Sequence, residues 1–345
     1  MAIDTRLIIA KDEIADIEGI KIASDILRRG GLVAIPTETV YGMAANALDR
    51  LASGRIFQVK GRPPDNPLIV HISKFEDLAR FTAEIPDKAR LLADSFWPGP
   101  LTMVLKSNGV VPDVVSAGLE TVAVRMPSHP IARKIIETAG IPLAAPSANI
   151  SGIPSPTSAN HCVDDLWGKV EAIVDGGRCE VGVESTVVTL ADPIPRLLRP
   201  GAVTHAQLES VLGRVEIDRA VLNPVDNDAQ VSSPGMKHKH YSPKAPVTLL
   251  DGSADNVMRF LSSQKDDGVW ALVFEEDLEF LPLPGLSLGS ATDSGAQAFR
   301  LFAALRELDE KGAKKIYARL PSQDGIGLAV YNRLIRAAGF KKIEI

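Results

Sequence analysis

Cysteine is almost absent: Cys162 and Cys179 are the only two in 345 residues. Two thiols cannot supply a disulfide framework or a CxxC-type zinc site, and both read as bland, partly buried side chains. Aromatic residues make up only 5%, with no cluster of aromatics and cations of the kind a single-stranded nucleic acid stacks on. Long apolar runs are missing too. The longest, Val269–Phe274, falls far short of the ~20 residues of a spanning helix. The opening MAIDTRLIIAKDE has no apolar h-region or small-residue cleavage site, so no secretory signal and a cytoplasmic location are expected. Positive charge is not in excess: the net charge of −5 gives no whole-molecule attraction to nucleic acid, and any anion site must be a local cluster. No GxxxxGK(S/T) loop, GxGxxG fingerprint or HExxH helix occurs, which argues against P-loop, dinucleotide-binding and zincin chemistry.

What is present is an ordinary globular balance, 45% hydrophobic and 23% charged, enough for one or two proper cores. Through about residue 217, short apolar segments such as Leu32–Ile35, Pro67–Ile72, Leu101–Leu105, Thr121–Arg125 and Ser185–Leu190 alternate with helix-like ones. The helical candidates are Ile20–Arg29, Arg50–Val59, Phe75–Phe81, Asp87–Phe96 and Pro130–Thr138. That alternation predicts an α/β fold. Residues 218–245, rich in Asn, Asp, Ser, Pro and Gly, read as a linker. From 246 to 345 the pattern resumes as a smaller doubly wound α/β domain, with Ala298, Leu301, Phe302, Leu305 and Leu308 on one helix stripe.

Polar side chains gather where apolar strands end. In PTETVYGMA (Pro36–Ala44), an extended reading sends Thr37, Thr39 and Tyr41 to one face, facing a small polar ligand. Lys60 and Arg62, beside the proline-stiffened PPDNP, form a candidate anion clamp in a loop. His71 ends an apolar strand and reads as a hydrogen-bonded structural residue. Thr121 and Arg125 share a strand face, and an arginine in an apolar strand needs a partner such as a carboxylate or carbonate. The Trp97-Pro98-Gly99-Pro100 turn reads as architectural. The loop from Ala145 to Thr157 offers Ser147, Asn149, Ser151 and Ser155 for phosphate or ribose oxygens. Ser185 and Arg199 stand at further strand ends, where α/β sites form. In the linker, Lys237, His238, Lys239 and His240 have no acidic or thiol company for a metal.

Taken together and in order, PTETVYGMA, KGRPPDNPL, WPGPLT, VAVRMPSHP, APSANISG, ESTVV and RPGAV strongly resemble the YrdC-like family of threonylcarbamoyl-AMP synthases in its long, two-domain form. SSPGMKHKHYSPKAP resembles that form's linker, and GIGLAVYNRLIRAAG its C-terminal domain. Met43 and Thr189 depart from the usual Leu and Asp. The resemblance implies a catalytic domain over 1–217, a twisted open sheet with helices around a concave basic groove, and a Rossmann-like C-terminal domain over 246–345. It implies that L-threonine, bicarbonate and ATP with Mg²⁺ give L-threonylcarbamoyl-adenylate and pyrophosphate, with no protein metal site. The product would pass to a separate tRNA threonylcarbamoyl transferase, direct tRNA binding being compatible but not required.

By motif, Thr39, His71, Arg125, Ala145 and Ser185 match threonine-binding positions. Arg62, Asn66, Thr121, Ser147, Ser155, Arg199 and Tyr241 match ATP-binding ones, and Lys60 joins Arg62 in the catalytic clamp. Residues 218–245, with Tyr241 over the nucleotide, are expected to act as a lid. Two other classes stand beside this reading. An RNA-binding module is disfavoured by the net charge, and a carbamoyltransferase of the hydrogenase-maturation type by the lack of zinc-finger cysteines.

Overall fold

The computed structural model describes residues 3–224, 240–264 and 266–345. In chain order the first unit runs β1 (Arg6–Ile9), α1 (Ile17–Arg28), β2 (Val33–Ile35), β3 (Gly42–Asn46), α2 (Arg50–Lys60), β4 (Ile69–His71), α3 (Asp87–Phe96), β5 (Leu101–Lys106) and α4 (Asp113–Ser116). It continues with β6 (Thr121–Arg125), α5 (Pro130–Ala139), β7 (Leu143–Ala144), α6 (Ala159–Leu166), β8 (Ala172–Asp175), β9 (Thr186–Thr189), β10 (Arg196–Arg199), α7 (His205–Leu212) and β11 (Glu216–Ile217). Its strands form one mixed sheet in the order β1-β8-β2-β3-β7-β4-β6-β5-β9-β10-β11.

Both faces of this sheet are covered, so its central strands are apolar on both sides. Leu32, Ala34 and Met43 belong to one core; Val33, Ile35 and Ala44 belong to the other, beneath α1 and α5. Helix α1 buries Ile20, Ala23, Ser24 and Leu27 at helical spacing. Helix α2 starts on the Asp49 side chain, which accepts from the amides of Leu51 and Ala52, and stops at Gly61. Gly61 has φ +60°, a left-handed turn open to glycine at no steric cost. This turn carries the chain from Lys60 to Arg62 across the sheet end.

The second unit comprises β12 (Val247–Asp251), α8 (Ala254–Ser262), β13 (Val269–Val273), β14 (Gly285–Ser287), α9 (Ser294–Glu310), β15 (Lys315–Arg319), α10 (Gly327–Ala337) and β16 (Lys342–Glu344). Its strands are all parallel in the order β14-β13-β15-β12-β16. The expected helix stripe is buried along α9. Val40 and Val183 of the first unit share a core with Leu301, Phe302 and Leu334 of the second. No helix among the described residues is long and apolar enough to cross a membrane.

Several local expectations need correction. Pro36–Tyr41 is not extended: Thr37 Oγ1 donates to the Val40 carbonyl, which bends the segment. Tyr41 still borders the same cavity as Thr37 and Thr39, while its hydroxyl donates to the Gly177 carbonyl at 2.6 Å. Phe75–Arg80 is a 3-10 helix. The start of the low-periodicity stretch is packed, with Ala220 and Val221 buried and their carbonyls accepting from Arg336 and Asn332 of α10.

Candidate active site

Neighbouring strands set the polar groups side by side. His71 of β4 and Thr102 of β5 are both register partners of Arg125 on β6. Ser185 precedes β9 and Arg199 ends β10, at the same sheet end. His71, Arg125, Ser185 and Arg199, with Thr39, Arg62 and the Ala145–Ser147 segment, line a cavity of about 640 Å³ including its open mouth. His240 and Tyr241 also line it.

Each guanidinium is held in place. Arg125 donates from Nη1 to Thr39 Oγ1 at 2.9 Å and from Nε to the Gly99 carbonyl at 3.3 Å. Its Nη2 lies 2.7 Å from Glu38 Oε1, an ion pair without aligned hydrogen-bond geometry, since neither atom has a well-directed partner. The Trp97–Pro100 turn thus does more than reverse the chain: it supplies a carbonyl to the buried arginine. Burial pushes the Glu38 carboxyl up, but Arg125 outweighs it and holds the group below its usual range.

Arg199 donates to the Ser185 carbonyl at 3.0 Å and to Ser185 Oγ at 3.1 Å, and that hydroxyl lies 2.8 Å from Thr102 Oγ1. Arg62 donates to the carbonyls of Asn66 and Pro67 at 3.1 and 2.9 Å. Burial lowers Arg62 and Arg199 to about 10, so both stay cationic at neutral pH. Three guanidinium groups and one carboxylate, Glu184, face the cavity. Even with Glu38 set against Arg125, positive charge is in excess, which suits an anionic ligand.

His71 reads differently. Burial and then the charge of Arg125 lower its pKa to about 3, so the ring is neutral. Its Nδ1 lies 3.1 Å from the Ile69 carbonyl. A carbonyl only accepts, so Nδ1 carries the proton and Nε2 is left as an acceptor.

Four of the residues matched by motif stand elsewhere. Lys60 is not in a loop but ends α2, 2% exposed, and its ammonium donates to the carbonyls of Ser147 and Asn149. It shapes the serine-rich loop and does not line the cavity. Ser155 spends its hydroxyl on Glu184 Oε1 at 2.5 Å. Asn66 is buried beside Arg62, to which its carbonyl is bound. Thr121 begins β6, roughly 13 Å along the strand from Arg125 at ~3.3 Å per residue, and lines a different cavity with Lys106 and Asp113. Sharing a strand face did not bring Thr121 and Arg125 to one place. Lys237, His238 and Lys239 lie outside the described residues, so the lid expectation rests here only on His240 and Tyr241. Tyr241 is buried, its ring centroid 5.3 Å from that of Phe302 in a tilted arrangement.

Sequence reasoning passed over Glu38, Glu184, Thr102 and Arg333. Both glutamates sit beside residues that were singled out, and each buried carboxylate answers an arginine, a pairing no sequence spacing reveals. Among the described residues no group of three His, Cys, Asp or Glu could hold a metal ion.

Two family models match the chain: the Sua5/YciO/YrdC model, described as telomere recombination, over residues 25–201, and the threonylcarbamoyl-AMP synthase C-terminal domain over residues 203–339. The chain belongs to the Sua5/YrdC family. It is 47% identical to a threonylcarbamoyl-AMP synthase of Pyrococcus abyssi, covering 94% of this chain and 96% of the relative. A Bacillus subtilis protein of that name is 44% identical, with 93% of each chain covered. The solved structure of P. abyssi Sua5 complexed with L-threonine matches with a TM-score of 0.91 at 45% identity, over 99% of this chain and 100% of that one. The likeness therefore spans both units of this Sua5/YrdC chain.

Proposed function

We propose that this Sua5/YrdC protein is a nucleotidyltransferase that joins L-threonine, bicarbonate and ATP into L-threonylcarbamoyl-adenylate and pyrophosphate. The observation that carries the reading is the convergence of Arg62, Arg125 and Arg199 with Thr39 and Ser185 on one cavity. A chain 45% identical to this one has been solved with L-threonine. In this reading Arg125, Thr39, His71, Ser185 and the Ala145 wall take threonine. The threonine carboxylate suits the Arg125 fork, and neutral His71 Nε2 accepts from its amine or hydroxyl. Arg62, Ser147, Arg199 and Tyr241 take the nucleotide.

The amine of threonine and bicarbonate form a carbamate with loss of water. A carbamate oxygen then bonds to the α-phosphorus, and the bond from α-phosphorus to the bridging oxygen breaks as pyrophosphate leaves with its electron pair. No covalent enzyme intermediate is needed. Catalysis is the alignment of two anions in a cationic, water-poor cavity, where positioning alone is worth up to ~7–11 kcal/mol. Mg²⁺ would enter as part of the nucleotide substrate. Glu38 and Glu184, the acidic side chains beside the site's arginines, are both committed to arginines. The product is suited to a downstream tRNA threonylcarbamoyl transferase.

The test is pyrophosphate release. Release should require both threonine and bicarbonate and yield a threonine-containing adenylate by mass spectrometry. Release that proceeds at the same rate without threonine, or equally well with valine, would overturn the reading.

A further inference from the structure

Arg333 belongs to α10 of the second unit, yet most of its bonds reach the strand ends that carry the cavity's polar groups. It heads the fully buried side chains by volume. Its Nε donates to Glu184 Oε2 at 2.9 Å and its Nη2 to the Glu184 carbonyl at 3.2 Å. Nη1 donates to the Pro200 carbonyl at 2.8 Å and to Asn332 Oδ1 at 3.0 Å. Glu184 immediately precedes Ser185, and Pro200 immediately follows Arg199. One guanidinium thus staples the entry of β9 to the exit of β10, across the gap that Arg199 and Ser185 bridge from the cavity side. The other Glu184 oxygen takes the Ser155 hydroxyl, which ties in the loop carrying Ser147. Arg333 itself does not line the cavity.

A buried arginine–glutamate pair is a poor source of net stability, because removing both charges from water costs about as much as their attraction returns. What such a fork does supply is geometry: planar donors at fixed angles, which a lysine cannot imitate. We propose that Arg333 is a positioning residue for adenylate synthesis, setting Ser185 and Arg199 in register, so that the second unit completes a site it does not line. The proposal rests on the synthase reading above.

Arg333→Lys keeps the charge and loses the fork. Arg306→Ala is the control. It removes a different contact between the units, the Arg306–Asp165 pair at 2.6 Å and a bond to the Pro154 carbonyl, and leaves Glu184, Ser185 and Arg199 untouched. Arg333→Lys should lower kcat/KM for pyrophosphate release by ~10²-fold, the scale of a misplacement of about 1 Å. Arg306→Ala should keep both KM values within about twofold while lowering the unfolding midpoint, because it leaves Asp165 buried without its counter-charge. An ATP-binding titration needs no turnover, and there Arg333→Lys should weaken the Kd about tenfold, the loss of one well-placed charged hydrogen bond.

Wild-type turnover and ATP affinity in Arg333→Lys would overturn the proposal, as would an equal kinetic loss in Arg306→Ala, which would make the effect one of docking. Wild-type protein that binds ATP but releases no pyrophosphate would overturn the synthase reading. The binding comparison would still decide the role of Arg333.

Discussion

Lys60 and Arg62 stand two positions apart and do different work. Arg62 lines the cavity, whereas Lys60 points away from it into the carbonyls of the Ser147–Asn149 loop. Arg62→Ala should therefore act chiefly on turnover, lowering pyrophosphate release by ~10²-fold, as expected for one lost charge at a phosphate site, beside the stability cost of freeing the Asn66 and Pro67 carbonyls. Lys60→Met should do the reverse in its primary effect, costing ~1–3 kcal/mol for each buried carbonyl left without a donor. Chemical denaturation and steady-state kinetics on the same two variants separate the roles.

Two histidines, buried His71 and half-buried His240, also couple stability to pH. Folding lowers His71 and His240 to about 3 from 6.5, chiefly by burial. Below pH 6.5 the unfolded chain binds protons that the folded chain refuses, so stability falls as pH drops from 6.5 toward 3. The slope approaches ~1.4 kcal/mol per pH unit for each histidine once the unfolded ring is charged. Glu38 and Glu184, held below their usual 4.5, add a loss of the same sign only at lower pH. Urea unfolding at about pH 7 and about pH 5 should show the decline, and His71→Asn should make it shallower.

Among the elements, the segment before β9 is tightly constrained. Gly182 has φ +83°, and a Cβ there would lie 2.4 Å from Phe299 Cα on α9. The first unit thus reaches the second with backbone against backbone, and only glycine permits both the dihedral and the approach. Gly182→Ala should destabilise by more than the ~1–2 kcal/mol of left-handed strain alone, because α9 must also move. If its denaturation midpoint matches wild type, the two units are not in close contact at this point. Since Glu184 and Ser185 follow directly, the same variant should raise the KM for threonine, measured by pyrophosphate release.

Across the whole molecule, the two units share a core, and their buried ion pairs Glu184–Arg333 and Asp165–Arg306 cross the boundary. An interface of this kind predicts one cooperative unfolding transition, and ligands bound in the cavity should stabilise both units together. ATP and threonine, each at 100 times its dissociation constant, should add ~2.7 kcal/mol per ligand. Scanning calorimetry should show a single peak that moves to higher temperature intact. Two peaks, with only one moving, would mean that the units fold independently.

Order and type of structure were largely legible in the sequence by itself. Apolar spacing marked α1, α5 and α9, and capping residues such as Asp49 and Gly61 are local signals that act over a few residues. The candidate site was half legible, because hydroxyls and cations at strand ends carry their chemistry in their names. Local sequence could not rank them. Thr121 and Arg125 share a strand and a face, yet only register against β4 and β5 decides which end holds the cavity. Lys60 and Ser155 have the right chemistry, but their partners are 87 and 29 positions away. Which charge is spent on the fold and which is left for a ligand is settled by burial: a desolvated ion must find a counter-charge or a carbonyl wherever the chain packs one, and only the tertiary structure brings Glu38 to Arg125 and Arg333 to Glu184.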